Sequence, residues 1–412
     1  MFKRLILTNI KSFAQAYIPL SNFTLVLGTN ASGKSNLRDA FRFLHGLSRG
    51  YKLADVLGGK YEGGDQVWQG IRGGPYEFIT QGEAGGFVVA SLEPHVWYTI
   101  AVRHLSDKPP LIFSEILNVG VDDLYEAEET EGQRLLKTRI KAGGDFRKGQ
   151  VESLPSDEAV LTQIADYYRG RTDEGIQAVK AGVLTATTHF TNMQFLDLSP
   201  NALREPSYPG QNQLGDRGEN LSTVLQYLIE EKEHKETIIE WLRELTPMDV
   251  ADLKFQRDSR GRVSLALVEH NKRITSVESA SDGTLRFLAY LALAFSTETP
   301  TTCFIEEIDN GIHPSRLKLL VELIETQTKR RNLQIIATSH SPALLNLLSE
   351  ESLNNALLVY RTEDSPHSNV KPLHELPNFK EIVERRRPGA LMESGWFENT
   401  VEALEFDKAQ PA

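Results

Sequence analysis

The stretch Phe23–Ser35, FTLVLGTNASGKS, constrains this chain more than any other. Its apolar run reads as a buried strand ending at Gly28, and GTNASGKS fits the pattern G-x-x-x-x-G-K-[ST]. Gly28 lets the chain turn off the strand, and Gly33 allows backbone N–H groups to close around phosphate oxygens. Lys34 can reach β and γ phosphates, Ser35 can ligate Mg²⁺, and Asn30, Ser32 and Asn36 complete the candidate cradle. A helix is expected over Lys34–Leu47, with Leu37, Ala40, Phe41 and Leu44 on one stripe, and its N-terminus places partial positive charge under the anion. A chance glycine turn is the alternative, but it does not require the strand before and the helix after. The unit predicts an α/β fold that binds a nucleotide together with Mg²⁺.

A chain of 412 residues exceeds one ordinary core and suggests two or three structural units. With 40% hydrophobic and 25% charged residues it reads as a globular chain. The longest apolar run, Leu285–Phe295, is interrupted by Arg286 and is too short to span a bilayer, so no membrane role is expected. The opening MFKRLILTNIKSF reads as a strand rather than a signal peptide. One cysteine, Cys303, excludes a disulfide framework and a cysteine-based zinc site; it reads as a small buried hydrophobe in a cytoplasmic protein. The net charge of −11 argues against a nucleic-acid coat, though it leaves room for a local basic groove.

From Ser281 onward helices and apolar strands alternate, which predicts a largely parallel sheet. The strand Thr302–Glu306 ends in Glu306 and Glu307. Carboxylates at a strand C-terminus sit where open α/β sheets bind ligands: one can support Mg²⁺, the other can orient or deprotonate water. The strand Leu333–Thr338 ends in Thr338-Ser339-His340-Ser341. There Ser341 and Pro342 can form a helix cap, and His340 at the strand tip is a candidate to hydrogen-bond a γ-phosphate. The stretch SDGTLRFLAYLALAF has Ser281 as N-cap, with Leu285, Leu288, Ala289 and Ala292 as its buried stripe.

Elsewhere YEFITQGE, GFVVASLE and VWYTIAVRHL read as strands of an antiparallel sheet, and residues 54–76 as glycine-rich loop. Residues 117–160 are expected to form an irregular arm, 156–185 to be helical, Asn220–Leu245 to be one amphipathic helix, and DLKFQRDSRGRVSLALVEH to be a hairpin. The expected division is an N-terminal half of the nucleotide-binding head over 1–116, a helical and irregular insertion over 117–250, and a C-terminal half over 251–412.

Taken together, LTNIKSF, GTNASGKSNLRDAFRFL, SDGTLRFLAYLALA, FIEEIDNGIHP and IIATSHSPALL resemble the ATP-binding-cassette branch of P-loop ATPases. The resemblance is to the RecF, SMC and OLD (overcoming lysogenization defect) group, and within it to short bacterial stand-alone AAA/OLD-like ATPases. It covers roughly residues 1–105 and 190–375 and implies an ABC-type ATPase head: a parallel core, an antiparallel β subdomain and a helical subdomain. It implies that Gly28–Ser35 is the Walker A loop. Glu306 and Glu307 would be Walker B, with Glu307 catalytic, and Asn310–His313 the D-loop. His340 would be the switch histidine, and Ser281 with Gly283 the signature that touches ATP on a second subunit. Two departures stand out. Glu306 occupies the usual Asp position, and the signature reads Ser-Asp-Gly. Gln66 and Gln69 both compete for the Q-loop position.

The implied enzyme is an ATPase acting as a homodimer, or a higher homo-oligomer, that sandwiches ATP. The segment after His340 has no Asp-x-Asp pair, so no TOPRIM nuclease is expected in it. The implied role is control of a separate effector, a TOPRIM-like or HNH nuclease, in anti-phage defence. A RecF-like DNA-repair ATPase and a nucleotide-gated scaffold with negligible turnover are the alternatives. Direct nucleic-acid contact stays open through Arg134, Lys137, Arg139, Lys141, Arg147, Lys148 and Arg385–Arg387, with solvated charge as the competing reading.

Overall fold

The computed structural model describes residues 1–104, 108–130, 133–142, 145–168, 174–230, 232–246, 248–296, 302–363 and 365–409. The chain forms two compact units, each assembled from non-contiguous segments. The first comprises Met1–Ser21, Leu27–Met193 and Leu357–Glu375; the second comprises Asn22–Val26, Gln194–Ala356 and Leu376–Ala412. The class is α/β, as expected, with parallel core strands in the second unit and an antiparallel sheet in the first.

The first unit is built on one eight-stranded antiparallel sheet. Its strands lie in the spatial order Asp145–Pro155, Leu135–Ala142, Asp122–Glu129, Leu111–Val119, Val96–Arg103, Gly85–Leu92, Phe2–Ile10 and Phe13–Pro19. Alternation sets the faces: Leu5, Leu7, Val88, Ala90, Tyr98 and Ile100 are buried, whereas Arg4 and Phe87 point outward. The helices Lys34–Ser48 and Glu174–Thr191 cover the inner face, with Phe2 5.2 Å from Phe41 and Tyr98 5.3 Å from Phe190 between ring centroids. The hairpin Leu357–Tyr360 and Asn369–Pro372 also belongs to this unit.

In the second unit the strand Thr302–Ile305 pairs in parallel with Gln334–Thr338, and that strand pairs in parallel with Phe23–Leu27. Register opposes Ile305 to Ala337, so the two C-terminal ends lie side by side. The helices Asp282–Phe295 and Pro314–Arg330 belong to this unit, as does a three-stranded sheet containing the expected hairpin, Val250–Arg257 with Val263–Glu269. Every residue from Thr284 to Phe295 is buried, more than a single amphipathic stripe requires.

Several local expectations are corrected. Residues 117–160 are mostly strand, because Leu124, Tyr125, Ala127, Leu136, Thr138 and Ile140 turn inward and the intervening charges face out. YEFITQGE is not a strand: Pro75 opens a short helix, Gly74–Phe78. The glycine-rich region contains the helix Leu53–Gly58 and a hairpin, Lys60–Glu62 with Asp65–Trp68. Trp68 Nε1 donates to the Val56 carbonyl at 2.9 Å to hold the two together. The helical spans 156–185 and Asn220–Leu245 each divide, into Val160–Tyr167 and Glu174–Thr191 and into Leu221–Leu228 and Lys232–Leu245.

Candidate functional site

The phosphate loop belongs to the first unit. Gly28 has φ 147°, Ala31 63° and Gly33 115°, and the Ser32 amide donates to the Thr29 carbonyl at 3.3 Å, so the chain curls tightly. Lys34 Nζ reaches back across the loop, donating to the carbonyls of Gly28 at 2.7 Å and Thr29 at 2.8 Å. Gly33 is the N-cap of the helix Lys34–Ser48 and supplies no side-chain cap, so the first amides of the helix depend on other acceptors. Asn30 is exposed at the loop tip, Ser32 is buried, and Ser35 and Asn36 are half-buried on the first turn of the helix.

Around the loop lies a polar shell that reading along the sequence misses. Asp39, on the loop helix, is buried and takes an ion pair from Lys11 at 3.6 Å and another from Arg72 at 3.2 Å. Burial pushes the Lys11 ammonium below its usual range, and Asp39 partly offsets this. Ser12, Asn36 and Ser368 form a hydrogen-bonded cluster against the loop. A cavity of about 610 Å³ opens beside it, lined by Lys11, Ser12, Asn36, Thr80, Arg361 and His367 among others. Lys11 and Ser12 stand in the quoted LTNIKSF motif. No local signal marks Arg361 or Ser368.

The acidic and histidine strand ends belong to the second unit, together with the turn at Ser281 expected to be the signature. The Glu307 amide donates to Thr338 Oγ1 at 2.9 Å and the Ile308 amide to the Thr338 carbonyl at 3.1 Å, which ties the two strand tips together. Glu307 has φ 47°, a left-handed conformation that a non-glycine residue holds only against a cost of about 1–3 kcal/mol. Its side chain is exposed, and Asn310 Nδ2 donates to Glu307 Oε2 at 3.1 Å. Glu306 is half-buried beside it. Ser339 is fully buried and its amide donates to the Val26 carbonyl at 3.2 Å, so the half-buried His340 follows a fixed strand end. Ser341 caps the next helix by accepting from the Leu344 amide at 3.2 Å.

The signature turn is fixed just as firmly. Ser281 accepts from the Thr284 amide at 3.2 Å and exchanges a 2.8 Å hydrogen bond with its hydroxyl. A Cβ on Gly283 would lie 2.8 Å from the Gly311 carbonyl, so the glycine lets this turn sit on the loop that follows Glu307. Tyr290 Oη donates to the Ile308 carbonyl at 3.0 Å from the same helix. Ser281 and Asp282 remain exposed.

Residues 129–346 match the family model described as "AAA domain, putative AbiEii toxin, Type IV TA system", more than half of the chain. The chain belongs to this family. Signature, acidic strand end and His340 fall inside the matched segment of this AAA protein, and the phosphate loop precedes it. With that loop, it is a P-loop ATPase. An "ATP/GTP phosphatase" of Helicobacter pylori (strain ATCC 700392 / 26695) is 20% identical over 371 residues, covering 85% of this chain and 88% of that protein. Among solved structures, the SMC head domain from Thermotoga maritima is 14% identical with a TM-score of 0.42, covering 90% of this chain and 98% of that one. An Smc head domain bound to the C-terminal domain of ScpA, derived from Pyrococcus furiosus, is 15% identical with a TM-score of 0.43, covering 93% and 98%.

The remaining predicted residues are dispersed. Gln66 and Gln69 are exposed on and beside the hairpin Lys60–Glu62 with Asp65–Trp68. Arg134, Lys137 and Arg139 are exposed, and Arg139 approaches Glu126 at 3.7 Å. The side chains of Lys141, Arg147 and Lys148 lie outside the described residues. Arg385–Arg387 are exposed ahead of the helix Pro388–Glu393. Cys303 is buried, and burial pushes its thiol well above the ordinary range, consistent with a packing role. Among the described residues no helix is long and apolar enough to cross a membrane.

Proposed function

We propose that this ATPase is a nucleotide-driven dimer switch of the RecF/SMC-like kind. The observation that carries the reading is the curled loop with Lys34 folded over it, on a helix whose first amides lack a side-chain cap. The β and γ phosphates would displace the Gly28 and Thr29 carbonyls from the Lys34 ammonium and take up the loop amides. The nucleoside would extend into the cavity beside Ser12 and Asn36.

Ser35 and Glu306 offer hydroxyl and carboxylate oxygen, the hard donors that suit Mg²⁺. Bound there, Mg²⁺ would neutralise charge on the phosphate oxygens. Glu307 would orient the attacking water and accept its proton, its carboxylate aimed by the left-handed backbone and by Asn310. His340 would donate a hydrogen bond to the γ-phosphate. Ser281 and Gly283 of a second copy would meet the nucleotide from the other side, so that binding closes the dimer and hydrolysis opens it.

Purified protein tests this directly. Lys34→Ala should abolish ATP binding. Glu307→Gln should keep binding but lower kcat by about 10²–10⁴. Equal, low rates for Glu307→Gln and wild type would move the protein to a nucleotide-gated scaffold.

The finer reading, that turnover controls a separate TOPRIM-like or HNH nuclease in anti-phage defence, draws support from the toxin–antitoxin description of the family. It predicts that the product of a neighbouring gene co-purifies with the Glu307→Gln protein in the presence of ATP. Co-purification independent of nucleotide would sink that reading.

A further inference from the structure

Ser368 follows the phosphate loop by more than three hundred residues, yet its side chain reaches it. The residue is 1% exposed, at the start of the strand Asn369–Pro372. Its Oγ donates to the Ser32 carbonyl at 2.6 Å and lies 2.7 Å from Ser12 Oγ. Asn36 Nδ2 donates to Ser12 Oγ at 2.7 Å, and Arg361 Nε donates to Ser368 Oγ at 3.1 Å. The Ser368 amide donates to the Ser12 carbonyl at 2.7 Å, which fixes the backbone of both residues.

A hydroxyl has one proton to give. The proton of Ser368 is committed to Ser32, so the proton between the two hydroxyls belongs to Ser12. The bonds therefore run one way, from Asn36 through Ser12 and Ser368 to the Ser32 carbonyl. The Arg361 guanidinium adds a charged donor at Ser368 and makes its hydroxyl a better donor in turn.

The Ser32–Gly33 peptide turns this chain into a nucleotide contact. In a trans peptide the carbonyl and the next N–H point in opposite directions. Holding the Ser32 carbonyl against Ser368 therefore turns the Gly33 N–H the other way, away from Ser368. The same contact explains why residue 33 lacks a side chain: a Cβ there would lie 2.3 Å from Ser368 Oγ, at φ 115°.

We propose that Ser368 is a positioning residue for the nucleotide β-phosphate, acting through the Ser32–Gly33 peptide with Ser12 and Arg361 as its support. The proposal rests on the nucleotide reading above.

The test measures affinity for ADP and AMP on full-length protein by displacement of a fluorescent ADP analogue. Loop amides cradle the α and β phosphates, so loss of the pin should fall on ADP. Ser368→Ala should weaken ADP about tenfold and AMP less than about twofold. Because Ser12 supports the pin through Ser368, adding Ser12→Ala should leave the ADP-to-AMP affinity ratio of Ser368→Ala unchanged within about twofold.

Equal weakening of ADP and AMP, or unchanged ADP affinity, overturns the proposal. Should Ser368→Ala fail to fold, the surface variant Arg361→Gln decides. About a threefold loss confined to ADP supports the pin, and ADP affinity equal to wild type overturns it. Failure of wild-type protein to bind ADP at all would instead refute the nucleotide reading.

Discussion

Gly28 and Gly33 are both required by the loop pattern, but they are held glycine by different neighbours. A Cβ on Gly28 would lie 2.2 Å from the Val359 carbonyl, a backbone atom with nowhere to go. At Gly33 the obstacles are side-chain atoms, Ser368 Oγ at 2.3 Å and its Cβ at 2.9 Å, which can shift further than a strand carbonyl, though only by breaking the hydrogen bonds of that hydroxyl. At φ 147° and 115° both positions also disfavour any L side chain. Gly28→Ala should therefore be the more damaging change, by about 2–4 kcal/mol of stability, from strain and displacement of the strand Leu357–Tyr360. Urea denaturation of the two alanine variants checks the order, and Gly33→Ala proving less stable would refute it. The loop itself was legible because its chemistry lies within eight consecutive residues. Its supports were not: Asp39 looks like an ordinary helix acid, and Ser368 carries no neighbouring pattern. The left-handed backbone at Glu307 was equally invisible, since glutamate is a poor signal for positive φ.

At the scale of elements, buried ionisable groups join helices to the antiparallel sheet of the first unit. Glu115, fully buried on the strand Leu111–Val119, accepts from Tyr125 Oη at 2.8 Å and from the amides of Val160 at 2.7 Å and Leu161 at 2.8 Å. It thereby caps the helix Val160–Tyr167 from outside that helix. Burial pushes its carboxyl up to about 7, although these donors pull the other way. His45, on the loop helix, donates from Nδ1 to the Phe190 carbonyl at 2.7 Å, and burial holds its imidazole down at about 4.

The two groups tilt stability with pH in opposite senses. His45 is kept neutral, so its contribution is lost as pH falls from about 6.5 toward 4. Glu115 is kept protonated, so its contribution is lost as pH rises from about 4.5 to 7. Between about 4.5 and 6.5 the slopes largely cancel. Glu115→Gln removes one of them, so stability of the variant relative to wild type should rise by roughly 3 kcal/mol from pH 4.5 to 7. Parallel denaturation curves across that range would show that Glu115 titrates normally. The alternation Leu136-Lys137-Thr138-Arg139-Ile140 that makes this region strand is present in the sequence. The surrounding charge and glycine obscured it, since a half-exposed sheet face and a solvated arm share composition.

At the scale of the molecule, the question is whether two copies close on ATP. Each chain carries a net charge of −11, so two copies repel at long range. Association must then be supplied by the nucleotide and by local contacts such as the exposed turn at Ser281 and Asp282. That turn is ordered in the single chain: Arg204 donates to Asp282 Oδ1 at 2.7 Å and to the Ala280 carbonyl at 2.9 Å. It need not fold on binding, which lowers the entropic cost of docking.

Two consequences follow from the dimer we propose. Light scattering of Glu307→Gln protein should show the mass doubling with ATP, and about 0.3 M salt should strengthen the association by screening the like charges. A nucleic-acid partner would respond to salt in the opposite direction. Adding Ser281→Arg should leave ATP binding intact, because the phosphate loop of each chain is untouched, yet hold the protein at monomer mass. ATP-driven doubling that survives Ser281→Arg would mean that the signature turn does not meet the nucleotide of a second copy, and the dimer would have to close through another surface.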